Sequence, residues 1–226
     1  MARVWKPGIW IGIGVCSLFG TALVHVVYRS VISGPVFYRQ AISLSTGESR
    51  RLGDLLEESL LEMHNTAVRE EKWSLSFTDA ELNGWISNHL KKKYSRYVPS
   101  GLDHLCVRFG EERIHVAFQV TRFWIPAVVE IQLVPFITAE EKKIGIRLET
   151  VKSGLFPLSN KRIVEQLNAA VPRSRLNWTT DSGQPLGLVE PRFEMADGIK
   201  RQIRVENISI QENRLILSGT AMDSGG

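Results

Sequence analysis

The residues best equipped for chemistry are thinly spread. The 226-residue chain has five histidines and two cysteines. None of them falls in an H-E-x-x-H or C-x-x-C spacing that would hold a metal ion. His104 and His115 sit on neighbouring strands of an expected hairpin and could approach across it. Two imidazoles alone do not fix a metal, and exposed polar pairing is the commoner arrangement. Asp223-Ser224-Gly225-Gly226 has the look of a loop around a nucleophilic serine, but these are the last four residues. Nothing after them would build a pocket. There is no G-x-S-x-G elbow and no phosphate-cradling Walker loop. Asp79 and Glu81 stand at a helix start, where carboxylates cap before they act as acids. No catalytic residue, metal ligand or cofactor is therefore expected.

Two other groupings could bind something. Lys91, Lys92, Lys93 and Arg96 are interleaved with Tyr94 and Tyr97. At a helix C-terminus such cations complement the macrodipole. They could equally contact lipid headgroups. The second grouping is apolar: Ile114, Val116, Phe118, Ile131, Leu133, Ile146 and Leu148 recur at every other position over successive strands, with Leu155 and Phe156 just beyond. A closed sheet would bury them as an ordinary core. An open one would leave a groove for an acyl chain, with Leu155 and Phe156 at its mouth, at about 0.8 kcal/mol per buried methylene.

The element expected to position everything else is Gly8 to Tyr28, 21 residues without Asp, Glu, Lys or Arg. As a helix it rises about 30 Å, enough to span a bilayer. Trp5, Trp10 and Tyr28 suit the two interfaces, and Arg3, Lys6 and Arg29 bracket the run. The apolar core is too long for a signal peptide and lacks an A-x-A cleavage pattern. The expected order is a cytoplasmic tail (1–7), a transmembrane helix (8–28), a juxtamembrane linker (29–48), an extracytoplasmic domain (49–220) and a frayed tail (221–226). The net charge of +4 is not that of a nucleic-acid-binding protein. Cys16 and Cys106 fall in different compartments, so no disulfide is expected between them.

Within the domain, Leu52, Leu55, Leu56, Leu60, Met63 and Ala67 make one helical stripe over residues 49 to 72. Thr78-Asp79-Ala80-Glu81 is a capping box opening a second helix to about Tyr94. From Asp103 the period becomes two. Strands around 105–109, 114–120, 129–133 and 144–148 form a meander with one apolar and one wet face. A short helix follows from Ser159 or Asn160. Residues 172–188 are expected as a long loop, a lid or binding element. A final hairpin turns at Glu212-Asn213. The fold class is α+β, amphipathic helices on a curved antiparallel meander.

Two stretches resemble a known family. Trp73 to Trp85, WSLSFTDAELNGW, resembles the FT-x-x-E-L-N helix start of YpmS-like bacterial membrane proteins. Val151 to Leu158, VKSGLFPL, resembles a G-x-x-P turn found in those proteins and in LmeA-like envelope proteins. The resemblance implies a single N-terminal anchor in the plasma membrane and a tubular lipid-binding (TULIP-like) or AsmA-like domain. It supplies no catalytic residue. Membrane lipid is the expected partner, and other envelope proteins the alternative.

Overall fold

The computed structural model of the chain describes residues 25–26, 28–93, 102–122, 125–139, 143–161, 164–165, 177–181, 184–189, 192–194 and 201–223. Residues 8–24 and 27 of the expected membrane span, Arg96 and most of the expected helix after Asn160 lie outside them. Among the described residues, no helix is long and apolar enough to cross a membrane.

Helices pack against two antiparallel sheets. Gly34, at φ +63°, lies against Val128 and turns residues 28–33, which are helical, into α1 (Val36–Ile42). Ser45 then caps α2 (Thr46–Arg69) by accepting from the Glu48 amide at 3.3 Å. The cap sets the helix start three residues ahead of the position the apolar stripe suggests. Leu56 and Ala67 of the stripe are buried, and Leu60 and Met63 pack beside them. At the other end the Arg201 guanidinium donates to the Ala67 and Val68 carbonyls at 2.9 and 2.5 Å. A cation on the last free carbonyls suits the helix dipole.

The chain turns directly into β1 (Lys72–Thr78), where Trp73, Leu75 and Phe77 alternate inward with lysine and serine outward. This period-two run stands in the sequence between two helices, too short to compete with their stronger patterns. The capping box opens α3 (Asp79–Trp85) as expected: Thr78 Oγ1 accepts from the Glu81 amide at 3.2 Å, and Glu81 accepts from the Thr78 amide at 2.7 Å. The helix then loosens into one π-turn (Ile86–Leu90) before Lys91–Lys93. Ser87 Oγ and Asn88 Nδ2 both donate to the Gly84 carbonyl, at 3.0 and 2.8 Å. Side chains competing for a backbone acceptor widen a helical turn in this way.

The meander is β2 (Leu102–Gly110), β3 (Arg113–Arg122), β4 (Ile125–Ile137) and β5 (Ile144–Ser153), paired in that order. A two-residue strand, β6 (Phe156–Pro157), folds back on β5. The next stretch corrects an expectation. Instead of a long loop, it holds the hairpin of β7 (Asn177–Asp181) and β8 (Gln184–Val189), and β8 adds to the edge of β5. Trp178, Thr179 and Thr180 are strand formers, and Pro185 is tolerated in an edge hairpin.

The remaining strands, β9 (Arg192–Glu194), β10 (Arg201–Gln211) and β11 (Arg214–Asp223), join β1 in a four-stranded sheet ordered β1-β11-β10-β9. The expected final hairpin is present, with Asn213 at φ +64° in its turn. Its end is not frayed as far as Asp223. The Ala221 amide donates to the Glu71 carbonyl at 2.7 Å, and Arg201 pairs with Asp223 at 3.1 Å.

Among the described residues, three apolar clusters hold these layers. The largest joins α2, α3, β1, β10 and β11 to Val107 and Phe109 of β2, with Phe77 and Phe109 edge to face at 5.8 Å. A second gathers Val129, Ile131, Leu148 and Val151 on one face of the meander. The third corrects the expectation of a wet opposite face: Cys106, Ala117 and Val128 there are buried under Tyr38 of α1. Small residues at 106 and 117 leave room for the tyrosine ring. Residues 36–42, expected within a linker, thus supply part of the core.

Candidate functional site

The apolar residues singled out from the sequence do share one side of the meander. Leu148 and Ile131 are buried there, against Val116, Phe118 and Leu133. Ile114 packs with Val116 toward the helices. Ile146 is half-buried, whereas Leu155 and Phe156 are exposed. Side chains of Trp178, Val164 and Leu158 lie over the same cluster. The cavity described below is lined by other residues.

The basic cluster divides. Lys93 is engaged with Glu57 of α2 at 2.5 Å. Glu57 also accepts from Trp85 Nε1 at 3.3 Å and lies 3.5 Å from His89 Nδ1. Residues 85, 89 and 93 share one helix face at steps of four, and the Trp85 and His89 rings stack at 6.1 Å. The Lys93 hydrogen bond is the largest influence holding the Glu57 carboxyl below its usual range. Lys92 is exposed. His104 and His115 do not meet: His115 pairs with Arg108, and His104, at φ +50°, sits in a bulge between Asp103 and Cys106. His115 Nδ1 instead faces buried Glu130 at 3.3 Å, and Lys152 reaches the same carboxylate at 3.2 Å. Burial works to raise the Glu130 carboxyl, but these two partners outweigh it and the net shift is downward. Among the described residues, no group of three or more His, Cys, Asp or Glu could hold a metal ion.

A cavity that the sequence did not announce lies where α1, α2, the π-turn and the β2 bulge meet. Its volume is about 380 Å³, within the range of small-ligand pockets. Ile42, Leu44, Ile86, Leu90, Leu102 and Leu105 supply apolar walls. Ser49, Ser87 and Asn88 supply a polar strip: the two hydroxyls are 2.5 Å apart, and Asn88 donates to Ser49 Oγ at 3.1 Å.

Local sequence explains why the cavity forms there. A Cβ on Gly84 would lie 2.5 Å from the Ser49 carbonyl oxygen and 2.7 Å from the Gly53 amide. The two helices therefore touch backbone to backbone. Asn83 fixes the third wall. Its amide donates to the Val107 carbonyl and accepts from the Val107 amide, both at 2.7 Å, clamping α3 to β2. Cys106 on the wall and Tyr38 behind it are neutral near pH 7. Burial pushes the Cys106 thiol up to about 11. It pushes the Tyr38 hydroxyl up to about 12, with Cys106 and Asp103 adding to the rise. Of these walls only the capped start of α3 was marked in the sequence; the glycine contact and the Asn83 clamp join residues far apart in the chain. Their convergence depends on a bulge and a π-turn that leave no periodic signature.

No family model, curated protein or solved structure matches the chain.

Proposed function

We propose that this is a single-pass membrane protein whose α+β domain, outside the cytoplasm, holds an acyl chain or another apolar envelope component. The observation that carries this reading is the cavity between α1 and the π-turn, with Ile42, Leu44, Ile86, Leu90, Leu102 and Leu105 on its apolar side and a neutral thiol and phenol behind it. Its walls hold no lysine, arginine, aspartate or glutamate among the described residues, whereas each buried methylene gains about 0.8 kcal/mol. The polar strip of Ser49, Ser87 and Asn88 suits one hydroxyl, ester or carboxyl end. No step of the reading needs catalysis. The apolar run of residues 8–28 supplies the anchor, and the resemblance of FTDAELN and SGLFPL to YpmS-like and LmeA-like proteins supports a curved, TULIP-like domain.

Binding of a fluorescent fatty acid tests this. Ile42 lines the cavity yet is exposed enough to accept a charge without unfolding the domain. Ile42→Glu is expected to weaken uptake at least tenfold, the equivalent of about 1.4 kcal/mol. Equal uptake by the two proteins, or none by the parent chain, would overturn the reading.

A second reading has its own observation. Leu158, Val164 and Trp178 pack against Ile131 and Leu148 on the meander face, which supports a closed scaffold for envelope proteins. That reading predicts a reproducible protein crosslink from residues 177–189 and no bound lipid.

A further inference from the structure

We propose that the corner between β5 and β6, Leu155–Phe156, is a second membrane contact that dips into the bilayer interface beside the anchor. The inference rests on reading residues 8–28 as the membrane span. Leu155 is 71 % exposed and Phe156 46 %. Two adjacent large apolar side chains on a loop tip have a hydration cost that ordinary surfaces avoid. The tip is built rather than slack. Ser153 pairs with Phe156 and Lys152 with Pro157, and the Leu158 amide donates to the Val151 carbonyl at 2.8 Å.

What covers the tip is indicated by its neighbour. Gly154, at φ +58°, is packed so closely on Ser30 that a Cβ there would lie 2.6 Å from the Ser30 carbonyl carbon. Ser30 is two residues past Tyr28, where the apolar run ends, and Val26 and Tyr28 are themselves exposed, at 56 % and 52 %. Apolar side chains before Ser30 and after Gly154 thus gather at one corner of the domain, at the level where the chain meets lipid headgroups. A leucine and a phenylalanine at that level partition into the interface to a depth of about 5–10 Å. A single span lets a domain swing on its tether. A second contact on the same corner fixes its tilt, and with it the direction in which the cavity faces.

The full chain, with Cys16→Ser, is reconstituted in phosphatidylcholine–phosphatidylglycerol vesicles carrying a nitroxide near the headgroup or deep in the acyl chain. An environment-sensitive fluorophore is attached to Leu155→Cys, to Val15→Cys in the expected span, or to Leu61→Cys, an exposed position on α2. Buried Cys106, with its raised thiol, stays unlabelled. The expected result is quenching of the Leu155 probe by the shallow nitroxide, of the Val15 probe by the deep one, and of the Leu61 probe by neither. A deep Val15 probe with a Leu155 probe as aqueous as that at Leu61 would overturn the tip contact and leave the anchor standing. An aqueous Val15 probe would overturn the anchor, and the tip contact with it.

Discussion

Asn83 joins the parts of this molecule through one side chain. Its amide satisfies both backbone groups of Val107, on the edge strand of the larger sheet. Asn83→Ala leaves two part-buried backbone groups without that partner, and urea unfolding should show a loss of about 2 kcal/mol. An unchanged midpoint would mean that water replaces the clamp. Tyr38 makes a different prediction. Its hydroxyl is buried without a hydrogen-bond partner among the described residues, and burial pushes it from 10.0 up to about 12. A group whose pKa is raised by folding contributes full stability below its unfolded pKa and loses it as pH rises through the folded value. Stability should therefore fall between about pH 10 and 12, and Tyr38→Phe should flatten that fall with little effect at neutral pH. The same slope in Tyr38→Phe would contradict the assignment. Thr78 and Glu81 are legible as a cap because they stand three residues apart. Asn83 carries no such mark, because its partner lies 24 residues away.

The junction of α2 and α3 sets the shape of the cavity, and it tolerates no side chain at its centre. Gly84→Ala places a methyl group against the Ser49 carbonyl and should cost about 1–3 kcal/mol through forced separation of the helices. Gly47, near the start of α2, has nothing within 4 Å of the place a Cβ would take. Gly47→Ala should stabilise by about 0.5–1 kcal/mol by favouring the helix. Thermal unfolding of the pair is a direct comparison, and a stabilising Gly84→Ala would refute backbone contact between the helices. Elements with strong periodicity were legible: the α2 stripe, the capped start of α3, the meander and the last hairpin. The hairpin of residues 177–189 was not, because Pro185 and the Asp181-Ser182-Gly183 run read as loop punctuation. Two residues between two short strands are also hairpin spacing, as the Asp181–Gln184 pairing requires. The π-turn was invisible because it follows from competition for one carbonyl rather than from a pattern.

At the scale of the whole molecule, apolar surface is distributed unevenly. Among the described residues, three apolar clusters are buried, one of them under α1. The cavity beside α1 and the corner at Leu155 stay open. Both lie next to residues that follow the apolar N-terminal run. On the proposed lipid-binding reading, both apolar openings would lie on the side where the chain leaves the bilayer. Periodicity could show which residues of the meander share a face, but not whether that face was filled. The residues that pack over it, Trp178, Val164 and Leu158, belong to later elements. Tyr38 and Phe37 also change how the domain must be handled. A soluble fragment has to begin before α1, or the roof over Cys106 and Val128 is lost.

The central claim is that a lipid enters the cavity. Its most direct test is photo-crosslinking of the full chain in bilayers containing a diazirine-bearing fatty acid, with adducts mapped by peptide mass spectrometry. The account predicts adducts on residues 42–44, 86–90 and 102–105, suppressed by Ile42→Glu while labelling of residues 8–28 persists. Adducts confined to residues 8–28 and the Leu155–Phe156 corner would contradict it, leaving a domain that touches the membrane without taking lipid from it.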